Sequence, residues 1–400
     1  MKVAGIIAEF NPFHKGHTLP IIEARRVVGA DGSLVCIMSG NCVQRGDLAV
    51  FHKKARAEAA ICCGADLVIE LPASYVLGSA EKFARGGIAL LASLGTSDLY
   101  LAFGSETADG LALMEATRAL DLPETQAKIA SGMREGLSYG TACQKALGEA
   151  GAHASLLQTP NNLLAIEYLR AIHRLGADIK PLPVQRQGVA HDSETPHGEY
   201  ASASHLRTLF HEGKAEEAWG YMPEEAADIF RRELAQGRGP VEIGQLEQTI
   251  LTLLRLQREP VGGYLDDSEG LSRRIRNIVA EAATLGELLE KVKTKRYHLS
   301  RIRRLILGMC LGLTSADRPE TPPYIRPIAA NQKGQALLRQ LTKTATLPIL
   351  SRGGEVKKLD QEVRRVFEVE SMVTDLQALC FCNDIHRCGG SEWRTNHRLP

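Results

Sequence analysis

Met1-Lys2-Val3-Ala4-Gly5-Ile6-Ile7-Ala8-Glu9-Phe10-Asn11-Pro12-Phe13-His14-Lys15-Gly16-His17-Thr18-Leu19-Pro20 is the stretch whose reading decides the fold. The apolar run over 3–8 predicts a buried strand. Glu9 cuts that run too early for a secretory leader, and no cleavage pattern follows. Asn11-Pro12 supplies a rigid turn out of the strand. His14-x-Gly16-His17 then sits immediately before an amphipathic helical pattern over 18–28. Working outward, β-branched runs at 34–38, 66–71, 98–103 and 179–185 alternate with helical patterns at 53–63 and 82–92. Such alternation predicts βαβ units, hence an α/β, Rossmann-like domain with a parallel sheet.

Four hundred residues are more than one hydrophobic core usually organises, so two units are expected. Beyond about residue 215 strand signals fade and helical patterns take over at 215–219, 223–236, 243–258 and 271–289. The reading divides the chain into a catalytic domain, 1–215, and a mainly helical domain, 216–400. Turn signals mark 238–240, 262–263 and 319–327, and the polar tail 393–400 reads as disordered. A formal net charge of +1 excludes a generalised attraction to nucleic acid or membrane, so any basic surface is local. No run approaches the roughly twenty apolar residues of a membrane helix. Nine scattered cysteines read as reduced thiols of a cytoplasmic protein. Cys380-x-Cys382-x3-His386-x-Cys388 gathers four soft ligands, but its start lacks the C-x2-C knuckle spacing of zinc sites, and a helix end with ordinary cysteines is the preferred reading.

Open parallel sheets bind ligands beyond the carboxyl ends of their strands. Those ends deliver Glu9 and the histidine turn, Gln44-Arg45-Gly46, Glu70, Gly104-Ser105-Glu106 and Arg186. At a helix start the unpaired N–H groups and the macrodipole favour a phosphate, and Gly16 lets the backbone approach it. His14 and His17 would donate to its oxygens, stabilising charge that develops in a displacement at phosphorus. Two surface histidines are the plain alternative. Its weight falls because the motif follows a first strand and no Walker A or G-x-G-x-x-G competes. Ser202-x-Ser204-x-x-Arg207 opens a later helix, where a hydroxyl is either an ordinary N-cap or part of a second phosphate cradle. Glu106 orients substrate or is merely an acid at a helix N-terminus. Gln44, Arg45 and Glu70 receive no step.

His14-x-Gly16-His17 with Ser202-x-Ser204-x-x-Arg207 resembles the HIGH-motif nucleotidyltransferase superfamily. The longer matches at 9–17, 38–46, 64–72, 103–106, 160–164 and 294–297 resemble, more narrowly, the tRNA(Met) cytidine acetate ligase family over nearly the whole chain. The resemblance implies a two-step ligase: acetate and ATP give acetyl-adenylate, and acetyl passes to the wobble cytidine of elongator tRNA(Met) as N4-acetylcytidine. It implies catalytic roles for His14, His17 and Arg207. It also implies an ATP site from 7–20 with Gly104, Asn161, Arg186, Ser202 and Ser204. Magnesium is compatible, although no dedicated acidic cluster is visible. The chain departs from the family where His52 precedes Lys53, at Cys42 and at Pro327.

Between 271 and 304 ten Lys or Arg face three Glu, a net of +7 against −6 for the rest of the chain. A local basic patch of this kind tracks a phosphate backbone, or is simply a solvated helix face. With the resemblance, Arg273, Arg274, Lys293, Lys295, Arg296, Arg301 and Arg304 are expected on tRNA, with Tyr297 stacking on a base. Two other classes stay open: a small-molecule adenylyltransferase, and a non-catalytic RNA-binding protein.

Overall fold

The computed structural model describes residues 2–107, 109–137, 139–149, 151, 154–185 and 196–394. Its centre is a six-stranded sheet made of β1 (Lys2–Ala8), β2 (Ser33–Ser39), β3 (Leu67–Leu71), β4 (Asp98–Ser105), β5 (Ile179–Gln185) and β6 (Pro327–Ala330). The order is β5-β4-β1-β2-β3-β6. The first five strands are parallel, as the alternating pattern predicts, and β6 joins β3 antiparallel.

Strands β1 to β3 are apolar on both faces because helices cover both. Val3, Ile7, Val35 and Ile37 pack on one side with Phe83 and Leu91, while Ala4, Ile6, Leu34 and Cys36 pack on the other with Ile21 and Ala24. The flanking helices α1 (Thr18–Val28), α2 (Lys53–Cys62) and α3 (Ala80–Ala92) are the crossovers expected from sequence. After β3 the chain returns to the far side of β1 to lay down β4. A crevice therefore opens between the carboxyl ends of β1 and β4, the place where such sheets bind ligands.

Three departures concern the C-terminal half. Its strand β6 was not expected, because Ile328-Ala329-Ala330 between Pro327 and Asn331 is too short to show a period. The pattern over 271–289 is two helices, since Thr284 stops the run by accepting the Glu287 N–H and capping a new one. Trp393, read as the start of a disordered tail, packs edge-on against Phe367, with ring centroids 4.7 Å apart. The rest of that tail, 395–400, lies outside the described residues.

Candidate active site

The crevice is a cavity of about 460 Å³. Residues Ile7 to Asn11 wall it on one side, with His14, Gly16, His17, Leu19 and Pro20 continuing from them. Pro12, Phe13, Lys15 and Thr18 stand behind this wall. Phe13 is fully buried, the Lys15 N–H donates to Tyr221 O at 2.9 Å, and the Thr18 hydroxyl donates to Lys15 O at 2.7 Å.

The histidine turn is held by its own side chains. Gly16 N–H donates to His14 Nδ1 at 3.0 Å, and His14 N–H donates to His17 Nδ1 at 3.2 Å. An Nδ1 that accepts carries no proton, so each neutral ring bears its hydrogen on Nε2 and is a donor there. The rings lie 3.8 Å apart between centroids, and Phe10 and Phe13 pack against His17. Phe10 itself adopts φ 47°, a left-handed conformation costly for a bulky residue and held here by packing on all sides.

Arg56, which sequence reasoning did not single out, organises the strand ends. Its buried guanidinium donates to Phe51 O, Ser39 O, Gly40 O and Glu9 O, tying β1 to β2 just where both deliver their loops. Nothing in the pattern Lys53-Lys54-Ala55-Arg56 at the helix start hinted at this. Glu9 carries one oxygen of its carboxylate on the Gln44 N–H, at 2.6 Å. Burial pushes the Glu9 carboxyl above the ordinary carboxylate range, and the Gln44 bond with Arg207, Arg56 and Arg45 offsets only part of that.

Opposite the histidines stands the helix α5 (Ala203–His211). The structure separates its two serines. Ser202 is the N-cap, its hydroxyl accepting the His205 N–H at 3.0 Å, whereas Ser204 and Arg207 line the cavity. Arg207 also donates to Asn11 O at 2.8 Å, joining this helix to the turn after β1. Gly104 and Asn161 line the cavity too, at the end of β4 and the start of α4 (Pro160–Arg174). Glu106 is an anchor for that helix: its carboxylate accepts from the Thr159 hydroxyl, the Asn161 side-chain amide and the Asn162 N–H. Arg186 falls outside the described residues.

Glu70 is taken up by a buried ion network. Lys53 Nζ lies 2.5 Å from Glu70 and 2.9 Å from Glu392, and Arg326 bridges the same two carboxylates. His52 caps α2 by accepting the Lys54 N–H on Nδ1 at 3.1 Å. Burial lowers its pKa to about 3, which keeps that acceptor unprotonated. Cys380 is buried with its thiol on Leu376 O, while Cys382 and Cys388 are exposed. Among the described residues no three His, Cys, Asp or Glu side chains converge to hold a metal. No helix among them is long and apolar enough to cross a membrane.

A family model described as HIGH Nucleotidyl Transferase matches residues 1–390. The relative named tRNA(Met) cytidine acetate ligase in Acetivibrio thermocellus is 36% identical, with 99% of each chain covered. One of the same name in Caldanaerobacter subterraneus subsp. tengcongensis is 34% identical, with 96% of each covered. This chain belongs to that ligase family. The expected fold is borne out by the solved structures of another protein. Thermotoga maritima TmcAL in its apo form I superposes with a TM-score of 0.91 at 29% identity, covering 98% of both chains. The same protein bound with alpha-thio ATP gives 0.89 at 29% identity, covering 99% of this chain and 98% of that one.

The helical region of this chain includes α6 (Leu271–Val279), α7 (Leu285–Val292) and α8 (Leu299–Cys310). Its basic residues divide sharply. Arg273, Lys293 and Lys295 are exposed. Arg274 instead caps the end of α7 through Lys291 O and Val292 O, and Arg296 and Arg301 both pair with Glu269 at 2.9 and 3.0 Å. Arg304 donates to Gln44 O at 3.0 Å. Tyr297 is not placed to stack on a base: its ring is buried, its hydroxyl donates to Glu269 O at 2.7 Å, and Arg301 lies over its face. Burial won because the tyrosine closes the seam between the loop before α6 and the start of α8.

Proposed function

We propose that this enzyme uses ATP to activate acetate as acetyl-adenylate, releasing pyrophosphate, and transfers the acetyl group to N4 of the wobble cytidine of elongator tRNA(Met). The observation that carries this reading is the facing of two Nε2 donors, His14 and His17, by Ser204 and Arg207 across one cavity at the sheet's switch point. The names of the relatives and the alpha-thio ATP bound to one of them support it.

In the first step an acetate oxygen attacks the α-phosphorus and the bond to pyrophosphate breaks. The histidines and Arg207 stabilise negative charge on the phosphate oxygens, a role in which one lost donor costs about 10²–10³-fold in rate. The turn 7–20, Gly104, Asn161 and Ser204 hold the nucleotide, and Ser202 supports Ser204 by capping its helix. In the second step the N4 amine attacks the acetyl carbon, the carbon–oxygen bond to phosphate breaks, AMP leaves and the amine loses one proton. The mixed anhydride is needed because an exocyclic amine of cytosine is a poor nucleophile. No step is assigned to magnesium. The chain would work in the cytoplasm, where its tRNA is, and Arg273, Lys293 and Lys295 of the helical half, 216–400, would meet the RNA.

Incubation with ATP, labelled acetate and an elongator tRNA(Met) transcript, followed by nuclease digestion, should yield labelled N4-acetylcytidine. Pyrophosphate release without label in the RNA would point to a small-molecule acceptor, and no ATP turnover at all would reduce the chain to a binding protein. The His17→Ala variant should lose acetyl-adenylate formation while keeping its affinity for tRNA.

A further inference from the structure

Of the arginines on α8, sequence reasoning chose Arg301 and Arg304, and the structure occupies both. Arg303 is different. Its side chain makes no hydrogen bond or ion pair among the described residues, its Nε is sealed from solvent without a partner, and the side chain lines the cavity. A buried guanidinium nitrogen left unpaired is costly, and its strongest natural partner is an oxyanion that accepts two parallel N–H bonds.

The position of Arg303 is imposed by its surroundings. The hairpin of Cys42–Val43 and Asp47–Leu48 turns through Gly46 at φ 75°. A Cβ on Gly46 would stand 2.3 Å from Arg304 N and 2.5 Å from Arg303 C, so α8 rests directly on this turn. Arg304 fastens the same contact by donating to Gln44 O, and the Gln44 N–H holds Glu9. The basic helical region thus reaches the reaction cavity through one unpaired arginine, on the hairpin side and not on the histidine turn.

We propose that Arg303 binds a backbone phosphate of the acceptor RNA beside the nucleotide whose base enters the cavity. A base that is to react must leave its stack, and its phosphate then stays at the rim, where one bidentate contact fixes the register of the strand. The nucleotide triphosphate offers the same oxyanion chemistry. The acceptor is favoured because α8 follows directly on the loop that carries the exposed Lys293 and Lys295. This inference rests on the acceptor being an RNA, as in the proposed function.

The test compares the full-length protein with Arg303→Met and Arg303→Lys, all checked for unchanged melting. Three quantities are read: tRNA binding by fluorescence anisotropy across a salt series, acetate-dependent ATP–pyrophosphate exchange without tRNA, and acetyl transfer. Arg303→Met should weaken tRNA binding about tenfold and make the salt slope shallower by about 0.7–0.9, the value of one phosphate contact. Transfer should suffer through KM far more than exchange does, and Arg303→Lys should recover part of the binding. Exchange falling as far as transfer would give Arg303 to the triphosphate and overturn the proposal. Unchanged tRNA affinity and slope would overturn it as well. A wild-type protein without exchange would count against the proposed chemistry alone, since the binding series still reads the Arg303 contact.

Discussion

Gly16 shows how little separates a working turn from a broken one. A Cβ there would lie 2.8 Å from His14 Cε1 and 3.0 Å from its Nδ1, inside the contact distance of either atom. The His14 ring would have to swing away, losing the bond from Gly16 N–H and its packing on His17. Gly16→Ala should therefore lower acetate-dependent pyrophosphate exchange by about 10²-fold, the cost of one misplaced donor. Its melting temperature should stay close to wild type, because the turn is partly exposed and no core contact changes. Exchange at the wild-type rate would show that the ring's position is irrelevant to the chemistry. At this scale the sequence was eloquent about residue types and silent about direction. His14-x-Gly16-His17 announced a phosphate turn, yet only the geometry shows both Nδ1 atoms turned inward to the backbone. Arg56 and Arg303 were invisible for the same reason: a buried arginine and a cavity-facing one read alike as charges on a helix.

Among the elements, α4 depends most on a single side chain outside it. Three groups at its start, the Thr159 hydroxyl, the Asn161 amide and the Asn162 N–H, converge on the carboxylate of Glu106. Asn162 returns the contact by accepting from the Ser105 hydroxyl and the Glu106 N–H. Glu106→Ala leaves these donors without their acceptor, so a loss of about 1–3 kcal/mol is expected in urea denaturation. The KM for ATP should rise with it, because Asn161 loses the partner that fixes it in the cavity wall. A variant of wild-type stability and KM would remove Glu106 from its anchoring role. The sequence left two readings open here and two for Ser202-x-Ser204, since a helix-start acid or hydroxyl serves a cap and a ligand equally well. Five strands and their crossover helices were legible because each strand is an apolar or β-branched run of at least five residues and each helix repeats its period over several turns. The strand β6 was not, because four residues starting with proline carry no period and owe their conformation to the free edge of β3.

On the scale of the whole molecule, the two halves of the chain are joined by buried charge. Lys53 and Glu70 come from the first half, and Arg326 and Glu392 from the second. Glu370, on the helix α9 (Gln361–Ala378), completes the group, its carboxyl pushed well upward by burial and by Glu70. Burial alone would raise Glu392 as well, but Lys53 and Arg326 outweigh it and hold that carboxyl below the ordinary range. A depressed carboxyl stabilises the fold above its unfolded pKa, and this contribution is lost as the pH falls below about 4.5. Glu392→Gln should cost about 3–5 kcal/mol at pH 7, the penalty for leaving buried cations short of a partner. Its stability should also decline less steeply than wild type in acid, and parallel acid limbs in denaturation curves would refute the assignment. The antiparallel β6 adds a consequence in time. Synthesis runs from the N-terminus, and domains usually fold as they emerge. Here the sheet that carries the histidine turn stays open at the β3 edge until Pro327–Ala330 has been made, and the Lys53–Glu70 pair lacks Arg326 and Glu392 until the ribosome has passed residue 392. A nascent chain that has already made both histidines of the turn is therefore still without the edge strand and the buried counter-charges of the sheet that carries them.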